Sequence, residues 1–180
     1  MEIVETPLKG LLLIKPKVFE DDRGYFFESF NKKQFEDAGI PINYVQDNQS
    51  LSGADVLRGL HFQAPPYAQA KLVRVIKGAV LDVALDIRKD SPSYGKHFSI
   101  ELNEQNKWML YIPTGFAHGF KTLMEQTIFF YKCSELYNKA SEGCILWNDA
   151  NLAIDWNIKN PILSPKDKEG TPFNSFRSPF

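Results

Sequence analysis

The chain of 180 residues carries 21 basic and 22 acidic side chains, giving a formal net charge of −1, and 43% of its residues are apolar. This length favours a single domain, placed at residues 1–180, and the apolar content suffices for a sizeable core. The balanced charge argues against a nucleic-acid-binding protein, which usually has a strong basic excess. The longest apolar run near the N-terminus, at residues 11–14, is too short for a membrane span or a signal sequence.

The two cysteines, Cys133 and Cys144, are too far apart in the sequence for a CxxC redox or zinc motif. In a chain without a leader, isolated cysteines are typical of reduced thiols. We therefore expect a cytoplasmic protein.

Short strand-like segments follow one another along the chain and are separated by turn signals. β-branched and aromatic residues are enriched in them, and Gly, Pro, Asn or Asp bounds most of them. The pair at 97–103 and 107–113 is predicted to form a hairpin around residues 104–106. The predicted strands lie at residues 10–19, 25–30, 42–52, 56–62, 70–77, 80–88, 97–103, 107–113, 127–137 and 143–149.

The segment VLDVALDIR at residues 80–88 shows the clearest strand pattern. Every second residue from Leu81 to Ile87 is apolar, and the residues between them include Asp82 and Asp86. Alternation with a period of two over nine residues predicts a strand with two different faces.

Only one helix has convincing end signals. Asn31 suits an N-cap, Gln34 stands at the capping-box position and Gly39 suits a helix stop, which predicts a helix over residues 32–38. The segment 149–156 has room for a helical turn, and the proline-rich tail at 160–180 is expected to be extended and to wrap the surface.

Many short strands with frequent turns and few helices are typical of a mainly β, antiparallel sandwich or jelly roll. We therefore predict a jelly roll with a few short helices and extended N- and C-terminal segments. The alternative is a closed up-and-down barrel.

His61 is the first candidate for chemistry, because it lies on a predicted strand between the cations Arg58 and Lys71. Clustered cations destabilise a fold unless an anion binds, so the cluster indicates a polar pocket. Arg58 and His61 would face opposite ways on a regular strand, but Gly59 can mark a bulge that brings them together. A structural histidine satisfied by one hydrogen bond is the alternative.

The other two histidines differ in their surroundings. His118 lies in PTGFAHGF, where Gly115 and Gly119 predict a bend that can direct a side chain into a cavity. A structural role for His118 fits the same pattern. His97 follows a loop and Lys96, and we predict that it lies on the surface.

Tyr131 and Asp167 each have a simple structural interpretation, as a packed strand tyrosine and as a solvated charge in the tail. A tyrosine opposite a histidine base can instead act as a general acid, and a carboxylate behind His61 would orient its imidazole. The residues alone leave both interpretations open.

Jelly rolls often bind a metal, and cupins do so through a recognisable sequence pattern. That pattern has two histidines flanking one residue, then a glutamate and a later histidine. Here the first motif reads His61-Phe62-Gln63, and no glutamate follows before Glu101. His61 and His118 alone do not make a site of three or four ligands, so we predict no catalytic metal.

The chain resembles the dTDP-4-dehydrorhamnose 3,5-epimerase family, a family of cofactor-free enzymes with a cupin-like jelly-roll fold. The resemblance runs in family order from about residue 20 to 170. It rests on the segments DDRGYFFESF, VQDNQS, VLRGLHFQ, AKLVRVIKGAVLDVALDIRKDSPSYG, YIPTGFAHGF, FFYKCSELYNKASEGCILWND and ILSPKDKEG.

The resemblance implies a proton-transfer site that needs no cofactor. In such a site His61 would be the general base, with Asp167 as its dyad partner. Tyr131 would be the general acid on the opposite face of the sugar, and Lys71 would stabilise negative charge on the C4 oxygen. This division of labour suits removal of a proton beside a ketone and its return from the other side.

The resemblance also implies contacts to a small-molecule dTDP-sugar and a functional homodimer. The stretch from Arg23 to Glu28 would complete the site of the partner subunit. Leu136 replaces a tyrosine that many relatives have, so the base pocket differs locally. The implied substrate-binding residues are Arg23, Glu28, Gln46, Asp47, Asn48, Arg58, Lys71, His118, Tyr137, Glu142 and Lys166.

The implied reaction inverts C3 and C5 of dTDP-4-dehydro-6-deoxy-D-glucose and yields dTDP-4-dehydro-L-rhamnose, an isomerase step in dTDP-L-rhamnose biosynthesis. Two related alternatives are an enzyme that inverts only one of these carbons and one that moves the ketone from C4 to C3. Two alternatives of other classes are a non-catalytic nucleotide-sugar-binding module and a metal-dependent oxygenase. We expect neither nucleic acid nor a membrane as a partner.

Overall fold

The computed structural model describes residues 1–41 and 43–180. In this part of the chain thirteen strands are accompanied by two short helices, α1 (Lys32–Asp37) and α2 (Pro165–Lys168), and by one 3-10 turn, Lys139–Ser141. The strands are β1 (Glu2–Glu5), β2 (Leu12–Lys15), β3 (Phe19–Asp21), β4 (Gly24–Phe26), β5 (Gln46–Ser52), β6 (Leu57–Gln63), β7 (Lys71–Lys77), β8 (Ala79–Asp86), β9 (His97–Asn103), β10 (Met109–Ile112), β11 (Phe116–Thr122), β12 (Thr127–Cys133) and β13 (Glu142–Cys144).

Two antiparallel sheets form the predicted jelly roll, which is of the cupin-like type. The six-stranded sheet has the order β1-β2-β10-β7-β12-β5, and the five-stranded sheet has the order β13-β6-β11-β8-β9. β3 and β4 pair as a separate hairpin. Most neighbouring strands come from distant parts of the chain, whereas an up-and-down barrel pairs consecutive strands. The mainly β, antiparallel prediction is therefore confirmed, and the barrel alternative is wrong.

Apolar side chains are buried on both faces of the five-stranded sheet, as β8 illustrates. Val80 and Ala84 belong to the cluster between the two sheets. Val83, Leu85 and Ile87 belong to a second cluster on the outer face. Alternate residues of β8 thus point into two different apolar clusters, one on each face of the sheet, and neither face is turned to solvent.

The C-terminal tail is part of the fold rather than an appendage. Trp156 and Phe176 are buried in the cluster on the outer face of the five-stranded sheet. Burying such a side chain contributes roughly 1.5–3 kcal/mol. The tail also contains α2, so the prediction of an extended, surface-wrapping segment is only partly correct.

The predicted helix is confirmed as α1. Asn31 caps it, because its side-chain oxygen accepts a hydrogen bond of 3.2 Å from the backbone N–H of Gln34. Phe35 is the buried residue of this helix and packs with Tyr111 over the outer face of the six-stranded sheet.

The predicted hairpin of residues 97–103 and 107–113 is wrong. β9 pairs with β8 in one sheet, whereas β10 lies between β2 and β7 in the other. In the connecting turn, the Asn103 side chain accepts a hydrogen bond of 2.7 Å from the backbone N–H of Asn106. The same polar turn residues suit a tight hairpin and a crossover between sheets, so the local sequence does not separate the two.

Several predicted boundaries also differ from the structure. The strand predicted at 25–30 ends at Phe26, because Phe30 packs its ring against Phe35 and Tyr44 instead. The strand predicted at 42–52 begins at Gln46, and Ile42 lies outside the described residues. The predictions at 10–19, 127–137 and 143–149 correspond to the shorter β2, β12 and β13, and β1, β3, β11 and α2 were not predicted.

No helix in the described part of the chain is both long and apolar enough to cross a membrane.

Candidate active site

A cavity of about 400 Å³ lies between the two sheets and is lined by residues of both. A second depression of about 320 Å³ continues it towards β13 and the loop after β12. Polar side chains dominate both linings, which suits a charged, hydrogen-bonding ligand. Eleven of the fourteen predicted site residues line these depressions, namely His61, Tyr131, Asp167, Lys71, Gln46, Asn48, Arg58, His118, Tyr137, Glu142 and Lys166.

His61 and Asp167 form a dyad at the edge of the cavity. Nε2 of His61 lies 2.7 Å from Oδ1 of Asp167. The same carboxylate accepts hydrogen bonds from the backbone N–H of Gly59 at 3.1 Å and from the Ser164 hydroxyl at 2.6 Å. Ser164 also caps α2, since its side chain accepts from the backbone N–H of Asp167. The first turn of α2 therefore fixes the carboxylate behind His61.

The protonation of the dyad follows from its hydrogen bonds. Burial alone would raise the pKa of Asp167, but the hydrogen bonds from His61, Ser164 and Gly59 outweigh it and lower the pKa to about 2. An ionised carboxylate only accepts hydrogen bonds, so Nε2 of His61 carries the proton that it donates. In the neutral imidazole, Nδ1 then keeps a free lone pair.

The surroundings of His61 favour this neutral form. Burial lowers the pKa of His61, and the ammonium groups of Lys166 and Lys71 act in the same direction, against the Asp167 carboxylate. A neutral imidazole with a free Nδ1 can accept a proton at neutral pH.

Tyr131 and Lys71 occupy the opposite wall, on neighbouring strands of the six-stranded sheet. Burial raises the pKa of Tyr131, which keeps its phenol protonated and able to donate. Burial lowers the pKa of Lys71, and its ammonium lies 5.6 Å from the centre of the Tyr131 ring. Lys71 has no salt-bridge partner among the described residues. A cationic donor and a neutral phenol thus face His61 across the cavity.

The irregularity predicted at Gly59 is present and brings Arg58 and His61 to the same cavity. The pairing of β6 with β11 shifts register between His118 and Phe120. Gly59 has φ +124°, and a Cβ atom there would lie 2.4 Å from Cα of Gly119. Only glycine fits this close approach of two strands.

His118 has a buried partner that the sequence analysis did not identify. Its Nε2 lies 2.9 Å from Oδ2 of Asp82, which is fully buried. The signal was present in the sequence, because Asp82 interrupts an otherwise apolar part of β8. His97, predicted on the surface, is half-buried on β9 because it pairs with Leu85 in the sheet.

Charged and aromatic groups at the rim are connected to one another. Glu142 and Lys166 form an ion pair. The Tyr137 hydroxyl donates to the other carboxylate oxygen of Glu142 at 3.1 Å. Gln46 accepts from the backbone N–H of Tyr137 at 2.9 Å and donates to the Asn48 side chain at 3.0 Å. These contacts hold β5, β13 and α2 around one opening.

Two glutamines that the sequence analysis missed fix the loop after β12. Gln63 is buried, donates to the backbone oxygen of Leu136 at 3.2 Å and accepts from the backbone N–H of Asn138 at 2.8 Å. Gln69 donates to the backbone oxygen of Glu135 at 2.7 Å. Gln63 ends β6 and Gln69 precedes β7. Glutamines at such positions do not stand out in a sequence, so no local signal marks this role.

Three predicted residues do not line the cavity in this chain. The Arg23 side chain is 89% exposed and bonds to Asp21. Glu28 accepts hydrogen bonds from the side chains of Asn31 and Gln34. Asp47 is exposed on the other face of β5 from Asn48, and its carboxylate pairs with Lys132 at 3.0 Å.

A larger depression of about 530 Å³ lies along the β3–β4 hairpin. Seven residues of the segment 19–26 line it, and all of them are exposed in the described chain. None of the four predicted catalytic residues lines it, and its carboxylates on Glu20 and Asp21 are exposed, so it is not the candidate active site.

One group of described side chains combines ligand types that metals prefer. The ligand atoms of His61, Cys144 and Asp167 lie within 4.8 Å of one another. Burial raises the pKa of Cys144 to about 11, so the thiol is protonated at neutral pH. This set differs from the cupin pattern, and the absence of a catalytic metal stays a prediction.

Comparison with known proteins connects this geometry to one family. The family model described as dTDP-4-dehydrorhamnose 3,5-epimerase matches residues 5–175. A protein of that name from Shigella flexneri is 50% identical over 174 residues, which cover 96% of each chain.

Two solved structures are similar along nearly the whole chain. The dTDP-4-dehydrorhamnose 3,5-epimerase from Elizabethkingia anophelis NUHP1 has a TM-score of 0.92, is 50% identical and covers 97% of each chain. The dTDP-6-deoxy-D-glucose-3,5-epimerase RmlC from Legionella pneumophila Philadelphia 1, in complex with dTDP-4-keto-L-rhamnose, has a TM-score of 0.93 at 44% identity. That match covers 98% of this chain and 94% of the other.

Proposed function

Since the chain belongs to the dTDP-4-dehydrorhamnose 3,5-epimerase family, we propose that it is an isomerase that converts dTDP-4-dehydro-6-deoxy-D-glucose into dTDP-4-dehydro-L-rhamnose. The reaction inverts carbons 3 and 5 and is a step in dTDP-L-rhamnose biosynthesis. The observation that carries the proposal is the placement of His61 and Tyr131 on opposite walls of one cavity. Inversion of a carbon needs a proton acceptor on one face and a donor on the other.

The proposed reaction moves protons only. Nδ1 of His61 accepts the proton from the carbon beside the C4 ketone, and the electron pair of that bond moves into an enolate. Lys71 stabilises the negative charge on the C4 oxygen. Tyr131 donates its phenolic proton to the opposite face of the carbon, and proton exchange with water restores both groups. A positioned base or acid contributes about 10²–10⁴-fold in rate.

Asp167 supports the base without touching the substrate. As His61 gains a proton, the carboxylate at 2.7 Å stabilises the imidazolium that forms. The hydrogen bonds from Ser164 and Gly59 keep that carboxylate ionised and in place. In this respect Asp167 is a positioning residue.

The cationic and amide side chains around the cavity are proposed to bind the nucleotide diphosphate. Arg58 and Lys166 line the cavity and supply positive charge, which suits a diphosphate. Gln46 and Asn48 offer amide groups that can pair with a base edge, and Tyr137 offers an aromatic ring beside them. Binding energy from these remote groups would position the sugar at the base.

We also propose that two chains form a homodimer in which the stretch from Arg23 to Glu28 reaches the partner's cavity. The hairpin that carries it lies outside its own cavity, and Tyr25 and Phe26 are 57% and 66% exposed. Clustered exposed aromatic residues are typical of an interface. A cytoplasmic location is proposed because both cysteines are free thiols, as expected in a reducing compartment.

The stereochemistry of the product tests the proposed function. The purified protein is incubated with dTDP-4-dehydro-6-deoxy-D-glucose, and the product is analysed by NMR. The proposal predicts inversion at both carbons. Inversion at one carbon would identify a mono-epimerase, a moved carbonyl would identify a ketoisomerase, and unchanged substrate that still binds would identify a binding module.

A further inference from the structure

Cys144 lies beside the catalytic dyad but has no part in the proposed proton transfer. It pairs with His61 in the register of β13 and β6. Its sulfur, a ring nitrogen of His61 and a carboxylate oxygen of Asp167 lie within 4.8 Å of one another. Asp167 is buried and His61 and Cys144 are half-buried, so the three donors do not belong to an exposed acidic patch.

The donor set is that of a zinc ion. Thiolate sulfur, imidazole nitrogen and carboxylate oxygen bind Zn²⁺ at about 2.0–2.3 Å in a tetrahedral arrangement. Donors in such a tetrahedron are roughly 3–4 Å apart, so side-chain adjustments suffice to bring these three to one ion. His61 and Asp167 line the adjoining cavity, which offers room for a water as the fourth ligand. Mg²⁺ and Ca²⁺ prefer sets of oxygen ligands and do not suit this one.

The charged side chains around these three donors are mixed in sign, so they limit the affinity for a metal cation but do not exclude its binding. Asp167 and Glu142 are negative, and Lys166 and Lys71 are positive. The ion pair with Glu142 offsets the charge of Lys166. Binding also releases the thiol proton of Cys144 to water, so the sulfur contributes a further negative charge at the metal.

We propose that His61, Cys144 and Asp167 form an inhibitory binding site for Zn²⁺ or a similarly thiophilic divalent cation. Without metal, Nε2 of His61 carries the ring proton and Nδ1 is free. A metal on Nε2 takes the lone pair of that nitrogen, so the single proton of a neutral ring must move to Nδ1. The nitrogen that serves as the base is then protonated, and Asp167 is drawn away from its role in the dyad.

Metal binding itself does not depend on the proposed function, whereas inhibition does. Cobalt(II) provides a direct readout, because a cobalt–thiolate bond gives a sulfur-to-metal charge-transfer absorption. Purified wild type, Cys144→Ser and Cys144→Ala are titrated with Co²⁺ and, by calorimetry, with Zn²⁺. Cys133→Ser controls for the other thiol, and circular dichroism establishes that each variant is folded.

We expect the charge-transfer band in wild type and in Cys133→Ser and its loss in both Cys144 variants, with Zn²⁺ affinity reduced by at least roughly tenfold. Zn²⁺ should slow the wild-type epimerase, a chelator should restore it, and the Cys144 variants should resist the metal. No band in wild type, or an equal band in the Cys144 variants, would overturn the site. A band in a protein without epimerase activity would instead refute the proposed function and leave the metal site standing.

Discussion

The carboxylate of Asp167 accepts a hydrogen bond of 2.7 Å from Nε2 of His61, although 106 positions separate the two residues. The contact forms because the C-terminal tail returns along β6, where Ile162 pairs with Val56 and α2 follows. It leaves Nδ1 of His61 free to act as a base.

Tyr131→Phe removes the phenolic proton without changing the shape of the ring. We expect kcat to fall by about 10²–10⁴-fold, the usual contribution of a positioned acid, while the dissociation constant for dTDP stays unchanged. Steady-state kinetics and calorimetry measure the two quantities. Tyr111→Phe is the matched control, since Tyr111 is buried in the cluster beneath α1. A variant at Tyr131 with full kcat would exclude a role as the acid.

Gly59→Ala tests the close approach of β6 and β11. The added Cβ would lie 2.4 Å from Cα of Gly119 at a φ of +124°. We expect the free energy of unfolding, measured by urea titration, to fall by about 1–3 kcal/mol. Gly39→Ala is the control, because Gly39 also has a positive φ, +70°, and no atom lies within 4 Å of the added Cβ. Equal losses in the two variants would mean that the steric clash at Gly59 has no effect.

Asp86→Asn tests a buried carboxylate that stabilises the loop after β8. Burial alone would raise the pKa of Asp86, but hydrogen bonds from Arg88, Ser91 and Ser93 outweigh it and lower the pKa from 3.8 to about 2. Because the pKa is lower in the folded protein than in the unfolded chain, the ionised carboxylate stabilises the fold at pH values above the unfolded-state pKa. That stabilisation is lost as the pH falls from about 4 towards 2.

We therefore expect the free energy of unfolding of Asp86→Asn to be about 2 kcal/mol below that of wild type at neutral pH. The difference should narrow as the pH falls below about 4. Urea titrations at several pH values measure it, with the exposed Asp90→Asn in the same loop as the control. A difference that does not depend on pH would show that the carboxylate charge is not the source of the stability.

Mixed dimers test whether Arg23 acts in the partner's site. Arg23→Ala and His61→Asn chains are co-expressed with different tags. Each mixed dimer then has one working site, with an intact His61 and the partner's intact Arg23, and one inactive site. Because about half of the dimers in a random mixture are mixed, the mixture should recover about a quarter of wild-type activity. Activity no higher than in either parent, in dimers verified by ultracentrifugation, would refute the shared site.

The features of the fold that depend on local pattern were predictable. The alternation in residues 80–88 gave β8, and the Asn31 cap gave α1. Strand pairing was not predictable in the same way, because the partner of a strand depends on contacts far along the chain. The two segments around residues 104–106 could be recognised as strands, but not assigned to different sheets.

In the candidate site, too, features set by local pattern were predictable and features set by long-range contacts were not. His61 could be recognised because its cationic neighbours are close in sequence, and the resemblance to a family supplied Tyr131 and Asp167. Asp82 was marked in the sequence by its place among apolar residues of β8, but its partner His118 became apparent only in three dimensions. The role of Gln63 in holding the loop at Asn138 also became apparent only there. Their roles depend on tertiary contacts that no local spacing encodes.

Solvent exchange in His61→Asn tests the central claim most directly. In D₂O, wild type should introduce deuterium at both C3 and C5 of the dTDP-4-dehydro-sugar, as followed by NMR and mass spectrometry. His61→Asn should bind dTDP with unchanged affinity and introduce deuterium at neither carbon, because the proton acceptor is gone. Exchange at the wild-type rate in His61→Asn would contradict the assignment of His61 as the base.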